Sequence, residues 1–264
     1  MMSSLLLNLL FPPKCAGCDE LIPIVDWRRG NTCLCRDCRA QWELAKLAKC
    51  SDCGEEMPDC RCMPAYLEES GMQALCKLCR YTPEAEEQRC VADRLLYRVK
   101  DGHVIEYERF LAAQLAPVVR AELDRRGWLM TYEDGSMPFE TLVTYCPRSP
   151  AKARQMGTDQ AERVAKLLAK RLGLPFQKLL VHSEGREQKR VKSEERRANA
   201  SASYRRCRGK SAALKRVILV DDIVTTGSSM AACTEILLEN GALSVLGVSV
   251  AVTERKKHKK TKNT

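Results

Sequence analysis

The chain is short of aromatic residues, with four Phe and three Trp among 264 residues. Its core must therefore rest on Leu, Val, Ala and Ile. It also lacks any apolar run near the roughly 20 residues that a membrane-spanning helix needs. The opening "MMSSLLLNLLFPPK" carries a short apolar run, interrupted by Asn8 and stopped by Pro12 and Pro13. With neither a basic start nor a small-residue cleavage site, it does not read as a secretory leader, and a cytoplasmic protein with no membrane insertion is expected. Histidine is scarce, and none precedes His103. A catalytic zinc centre, which usually draws on His or Glu and keeps one position open, is not expected in the first third of the chain. Acidic residues are outnumbered by basic ones, 34 to 44, for a net charge of +10, a weak hint of anionic partners such as nucleic acid or phosphates. Part of that excess lies in "ERKKHKKTKNT", and residues 256–264 are expected to be a basic disordered tail, with loose nucleic-acid contact as the alternative.

Cysteine, by contrast, is abundant. Twelve of the fifteen fall between Cys15 and Cys90, and in a compartment where disulfides rarely persist such clustering points to metal. "CAGC" (Cys15, Cys18) and "CRDC" (Cys35, Cys38) stand 16 residues apart, a spacing at which two C-x2-C loops complete one tetrahedral zinc site. "CSDC" (Cys50, Cys53) and the tighter "CRC" (Cys60, Cys62) form a second candidate set. The expected zinc is structural, and Cys33 is a spare or alternative ligand. "CKLC" (Cys76, Cys79) with Cys90 offers only three thiols. A third site would need a further ligand such as His103, and reduced thiols on a helical linker are the simpler expectation.

The remainder divides by pattern. Residues 1–65 read as the cysteine-rich module, and 66–138 as a helical linker and the start of an α/β domain. In the linker, apolar residues recur at helical spacing around Leu95, Leu96 and Val99 and again from Phe110 to Val118, and Pro117 is expected to kink or shorten the second run. Residues 139–255 alternate strands and helices: "TLVTYCP", then a helix from Asp159 to Gly173 with Asp159 and Glu162 as a capping box, then "FQKLLVH", "RVILVDD", a helix from Ser228 to Asn240, and "VLGVSVAV". This order implies a parallel sheet with helices on both faces. Beyond the cysteine pairs no internal repeat is evident. Gly209-Lys210-Ser211 imitates a phosphate loop, but Tyr204 stands where a Walker A motif needs its first Gly.

The stretch "VILVDDIVTTGSS" carries the most chemistry. Ligands of such folds sit at the carboxyl ends of strands. Thr225, Thr226, Gly227, Ser228 and Ser229 would present backbone N–H groups at a helix start, where a phosphate is favoured. Asp221 and Asp222 can take ribose hydroxyls, or Mg²⁺ through water. The alternative is a strand end with a solvated acid pair and an ordinary helix cap.

These residues resemble the signature loop of type I phosphoribosyltransferases, which hold phosphoribosyl pyrophosphate (PRPP). Joined to an N-terminal four-cysteine module, the chain resembles the ComF competence-protein family from about Leu5 to Thr253. The family's R-G-F-[N/D]-Q segment appears as "MGTDQ", which keeps Gly157, Asp159 and Gln160 but has Met156 and Thr158 in place of Arg and Phe. A later family segment keeps Gln188, Arg196 and Asn199, with Val191 where Leu is common. The resemblance implies a PRPP-fold domain, Mg²⁺ entering with PRPP, and "CPRSPAK" as the pyrophosphate-side loop with Arg148 and Lys152 as its charges. Surface charge is the other reading of those two. "EGREQKRVKSEERRAN" would be a mobile cationic segment near the mouth, a lid or a single-stranded DNA contact, or else a solvated segment. The implied role is PRPP binding, with or without pyrophosphate displacement, in DNA uptake or processing. Alternatives are a non-catalytic adaptor for single-stranded DNA or competence proteins, and a nucleotide-salvage phosphoribosyltransferase. No general base is visible.

Overall fold

The structure, a computed structural model, describes residues 10–28, 33–82, 90–101, 104–130, 139–155, 159–182 and 203–253. Outside them lie His103, Met156, Gly157, Thr158, Gln188, Val191, Arg196 and Asn199, together with the cationic stretch 184–199 and the basic tail.

Two helices, α1 (Ile24–Arg28) and α2 (Arg36–Lys46), belong to the cysteine-rich part. Then come α3 (Ala65–Glu69), β1 (Leu75–Cys76), β2 (Cys79–Tyr81), α4 (Val91–Asp101) and α5 (Ile105–Arg125). The chain continues through β3 (Thr141–Tyr145), α6 (Pro150–Gln155), α7 (Gln160–Leu172), β4 (Leu180–His182), β5 (Tyr204–Arg206), β6 (Arg216–Val224), α8 (Ser228–Glu239) and β7 (Ser244–Thr253).

The main sheet is parallel. β3 pairs with β6, β6 with β7, and β7 with both β1 and β2. The apolar run of β6 follows from burial on both faces. Val217 and Leu219 join the core under α8, while Ile218 and Val220 join the core formed with α5 and α7. The expected α/β architecture, a parallel sheet with helices on both faces preceded by a cysteine-rich module, is what the chain adopts. Among the described residues no helix is long and apolar enough to cross a membrane.

Four local expectations are corrected. Cys76 and Cys79 do not lie on a helix; they sit on β1 and β2, both fully buried at the sheet edge. Strands of two and three residues are too short to leave a periodic signal. The segment 176–182 is not one strand of the parallel sheet. A single parallel bridge joins Phe176 to Val143, and Leu180–His182 then pairs antiparallel with β5, a separate two-stranded sheet. Of the two outcomes expected at Pro117, shortening does not occur: it lies inside α5, because Leu111, Leu115, Val119 and Leu123 are all buried along one side of the helix, and their packing outweighs one missing N–H.

The capping box does not close either. Asp159 is the N-cap of α7 but makes no side-chain cap bond. Its Oδ2 accepts the Arg148 backbone N–H at 2.8 Å, and Glu162 accepts the Tyr145 hydroxyl at 2.9 Å. Gly173, at φ 71°, ends the helix in the left-handed conformation as its sequence position suggests.

Candidate functional site

β6 carries the acid pair to the carboxyl end of the sheet and runs on to Val224. Thr225, Thr226 and Gly227 then turn the chain into α8, which starts at Ser228. The first-turn N–H groups of α8 have no intrahelical acceptors, and the helix dipole favours an anion in front of them. The Thr226 and Ser228 hydroxyls lie 3.1 Å apart, and the Ser228 N–H approaches Thr226 Oγ1 at 3.4 Å. The loop is therefore braced by its own hydroxyls.

Gly227 is required here on two counts. Its φ is +83°, and an added Cβ would sit 3.0 Å from Leu67 Cγ and 3.3 Å from Pro64 Cβ. A left-handed conformation alone costs an L-residue roughly 1–2 kcal/mol. Gly227→Ala is accordingly expected to lower stability by at least that amount, about 1–2 kcal/mol, readable by thermal melting, and to weaken phosphate-ligand binding in parallel. A variant as stable as the parent would mean that the loop has another accessible conformation.

The acid pair is more enclosed than a solvated strand end. The Asp222 N–H donates to Asp221 Oδ1 and the Ile223 N–H to Asp222 Oδ1, both at 2.8 Å. Burial, then the adjacent Asp222 charge, pushes the Asp221 carboxyl well above the usual carboxylate range. Asp221 keeps a sliver of exposed edge but is closely surrounded by protein. Asp222 forms an ion pair with the Arg148 guanidinium, and only 17% of the Arg148 side chain and 12% of the Asp222 side chain are exposed. The structure thus brings Arg148 to the acid pair across 74 positions of sequence, a contact no local pattern could reveal. The backbone of Lys152 lies in α6, and its side chain is outside the described part. Beside Arg148 opens a cleft of about 570 Å³, lined by Tyr145, Asp159, Glu162, Lys178 and His182 among others. Asp159, which the sequence offers as a helix cap and as part of the "MGTDQ" segment, is held at this cleft by the Arg148 N–H, and burial raises its carboxyl above the usual range.

The eight paired cysteines form two groups, Cys15, Cys18, Cys35, Cys38 and Cys50, Cys53, Cys60, Cys62, and within each group the sulfurs lie within 4.8 Å of one another. A zinc tetrahedron with bonds of about 2.3 Å has sulfur–sulfur edges of about 3.8 Å. The Cys18–Cys35 and Cys53–Cys60 separations are 3.8 and 3.6 Å. Backbone N–H groups of Gly17 and Cys35 point at Cys15 Sγ, at 3.3 and 3.2 Å. Against the pull of burial, the N–H groups of Cys53 and Asp52 bring the Cys50 thiol down to about 7. Four thiols with this spacing fit a closed, structural tetrahedral metal.

The two C-x2-C hairpins are copies. Lys14 bridges Leu21 and Lys49 bridges Glu56. The N–H of Cys15 meets the Glu20 carbonyl and that of Cys50 meets the Glu55 carbonyl, each at 2.8 Å. Their sequences share only Lys14 with Lys49, the cysteines, and Glu20 with Glu55, which is why the repeat is hard to read there. Cys33 joins neither group; it is buried in the core, which pushes its thiol up. Cys76, Cys79 and Cys90 assemble no third group among the described residues. Cys90 bonds Asp93 Oδ2 at 3.1 Å, and Cys79 points at the Val250 carbonyl.

Residues 158–264 match the phosphoribosyl transferase domain family, a span that contains the whole β6–loop–α8 unit. A comparison with curated protein sequences gives no match. Among solved structures, the chain is similar to a hypoxanthine phosphoribosyltransferase from Staphylococcus aureus, at 11% identity over 58% of this chain and 76% of that one, TM-score 0.34. It is also similar to a purine phosphoribosyltransferase from Pyrococcus horikoshii, at 13% identity over 54% and 74%, TM-score 0.31. An adenine phosphoribosyltransferase from Leishmania tarentolae matches at 17% identity over 53% and 71%, TM-score 0.30. With scores this low, these overlaps add nothing to the domain match.

Proposed function

We propose that this protein binds PRPP together with Mg²⁺ through its phosphoribosyltransferase-type domain. The observation that carries the reading is the junction of β6 and α8, where two carboxylates near a strand end stand two residues before an amide-rich turn of small residues. The 5-phosphate would take the N–H groups from Thr225 to Ser229, with Gly227 allowing close approach. Asp221 and Asp222 would hold the ribose hydroxyls. Mg²⁺ suits such hard oxygen ligands, and a cation would offset the crowding that raises the Asp221 carboxyl; entering with PRPP, it would supply positive charge for the pyrophosphate oxygens. Arg148 would exchange its Asp222 partner for pyrophosphate oxygens, and Lys152, four residues on in α6, would add a second charge. If the protein turns PRPP over, the bond from the anomeric carbon to the pyrophosphate oxygen breaks, and electrostatics rather than a covalent nucleophile meets the developing charge. The cleft beside Arg148 offers room for an acceptor.

Zinc at both four-cysteine groups is proposed as structural. Membership of the ComF family, with its place in DNA uptake, rests on the resemblance of the cysteine module joined to this domain. Calorimetric titration with PRPP and Mg²⁺ tests the core reading. Saturable binding that ribose 5-phosphate competes away is expected; a folded, metal-loaded protein that takes up no PRPP would sink it.

A further inference from the structure

The second four-cysteine group leads straight into the residues beneath the phosphate loop. Cys62 is followed two positions later by Pro64, and Pro64 and Leu67 are the side chains that close on Gly227. Leu67 is fully buried, as the start of a tightly tied turn. Its carbonyl accepts the Ser70 hydroxyl at 2.8 Å and the Met72 N–H at 3.2 Å. The Gln73 N–H then ties the chain to the Val245 carbonyl of β7 at 3.0 Å.

What fixes this arm is not packing alone. A cavity of about 80 Å³ borders Cys62, Pro64, Lys77 and Val252, so one side of the arm is open. The restraint comes from the thiols and from Lys77, which is 2% exposed. Its ammonium donates to the Cys60 carbonyl at 2.9 Å and the Cys62 carbonyl at 2.7 Å. A buried cation satisfied by two cysteine carbonyls also sits well beside a tetrathiolate, whose charge it would offset. Among the described residues the first cysteine group has no such link. Cys15 and Cys38 belong to the core on the α5–α7 side of the sheet, while Leu67 and Met230 belong to the core on the α8 side.

We infer that the second four-cysteine group is a positioning element for the phosphate loop. Metal held by Cys50, Cys53, Cys60 and Cys62 keeps Pro64 and Leu67 under Gly227, and loss of that metal loosens the turn from Thr225 to Ser229. The consequence for PRPP rests on the reading proposed above; the coupling of metal to loop does not.

The test uses the full chain, with bound metal measured by elemental analysis, hydrogen exchange measured over the peptide 225–231, and titration with Mg²⁺ and PRPP. Cys62→Ser is expected to lose one metal, to speed exchange in the loop, and to weaken PRPP about tenfold, equivalent to about 1.4 kcal/mol. Cys18→Ser is expected to lose one metal and leave loop exchange unchanged. Should Cys62→Ser not fold, Lys77→Met keeps all eight thiols and carries the same expectation of faster loop exchange. Loop exchange unaltered in these variants, or altered equally by Cys18→Ser, overturns the inference. Faster exchange in a protein that never binds PRPP would reject the PRPP reading and leave the coupling in place.

Discussion

Exchanging Asp221 and Asp222 together for asparagine is expected to remove PRPP binding from a protein that still folds and still carries its metal. Hydrogen bonds to a charged group are worth roughly 1.5–3 kcal/mol each. Losing the charge on both carboxylates should therefore cost about 3–6 kcal/mol, or roughly 10²–10⁴ in affinity at 1.4 kcal/mol per decade. Asparagine keeps the shape and one acceptor oxygen, so the backbone bonds from the Asp222 and Ile223 N–H groups can persist. The Arg148 guanidinium loses its anionic partner in the double variant, and a melting curve reports what that does to stability. Binding should also carry a pH signature. The Asp221 carboxyl is raised by burial and by its neighbour, and it must be charged to meet Mg²⁺. Acidification is then expected to weaken binding at pH values above those where an ordinary carboxylate titrates, and the single Asp221→Asn variant should lack that dependence. Full affinity in the double variant would mean that the acid pair does not hold the ribose.

Glu122→Ala is expected to be the most destabilising single change outside the metal ligands. Glu122 is fully buried in α5, and Arg61, Arg125 and Arg126 converge on it. Arg125 is 60% exposed and the most screened of the three; Arg61 and Arg126, at 25% and 19%, are the more enclosed partners. Removing one member of a buried charge cluster costs about 3–5 kcal/mol. At about 2–4 °C per kcal/mol for a chain of this size, melting should fall by about 10 °C. Burial works to raise the Glu122 carboxyl, but hydrogen bonds from Arg125, Arg61 and Arg126 outweigh it and bring the group down from 4.5 to about 2. A carboxylate depressed in the folded state stabilises above its unfolded pKa and loses that contribution as pH falls from 4.5 through about 2. Denaturant titration across that range should show a sloping acid limb that Glu122→Gln flattens. An unchanged limb would show that other carboxylates govern acid unfolding.

The elements that could be read from the chain are those whose signal is local. An unbroken apolar run such as Val217–Val220 announces a strand covered on both faces. Gly173 marks a helix end because few other residues accept its backbone conformation. The cysteine pairs announce their grouping because a two-residue spacer is what lets adjacent thiols meet one ion. The turn after β6 is legible for the same reason: its acids, hydroxyls and glycine fall in one short stretch.

What stayed hidden depends on distance along the chain or on elements too short to show a period. β1 and β2 exist as strands because β7 offers them an edge, and β4 turns to β5 because its partner arrives only at Tyr204. Glu162 looks like part of a capping box until Tyr145 claims it.

The sequence by itself determined the parallel α/β core, the two four-cysteine groups and the acid-then-small-residue turn, since each follows from neighbouring residues and the backbone geometry they permit. The tertiary structure alone decided that Arg148 closes on Asp222, that Lys77 pins the carbonyls of Cys60 and Cys62, and that Pro64 and Leu67 support Gly227. Those contacts satisfy buried charges and fill space between segments far apart in the chain, and only the folded packing brings such segments within reach of one another.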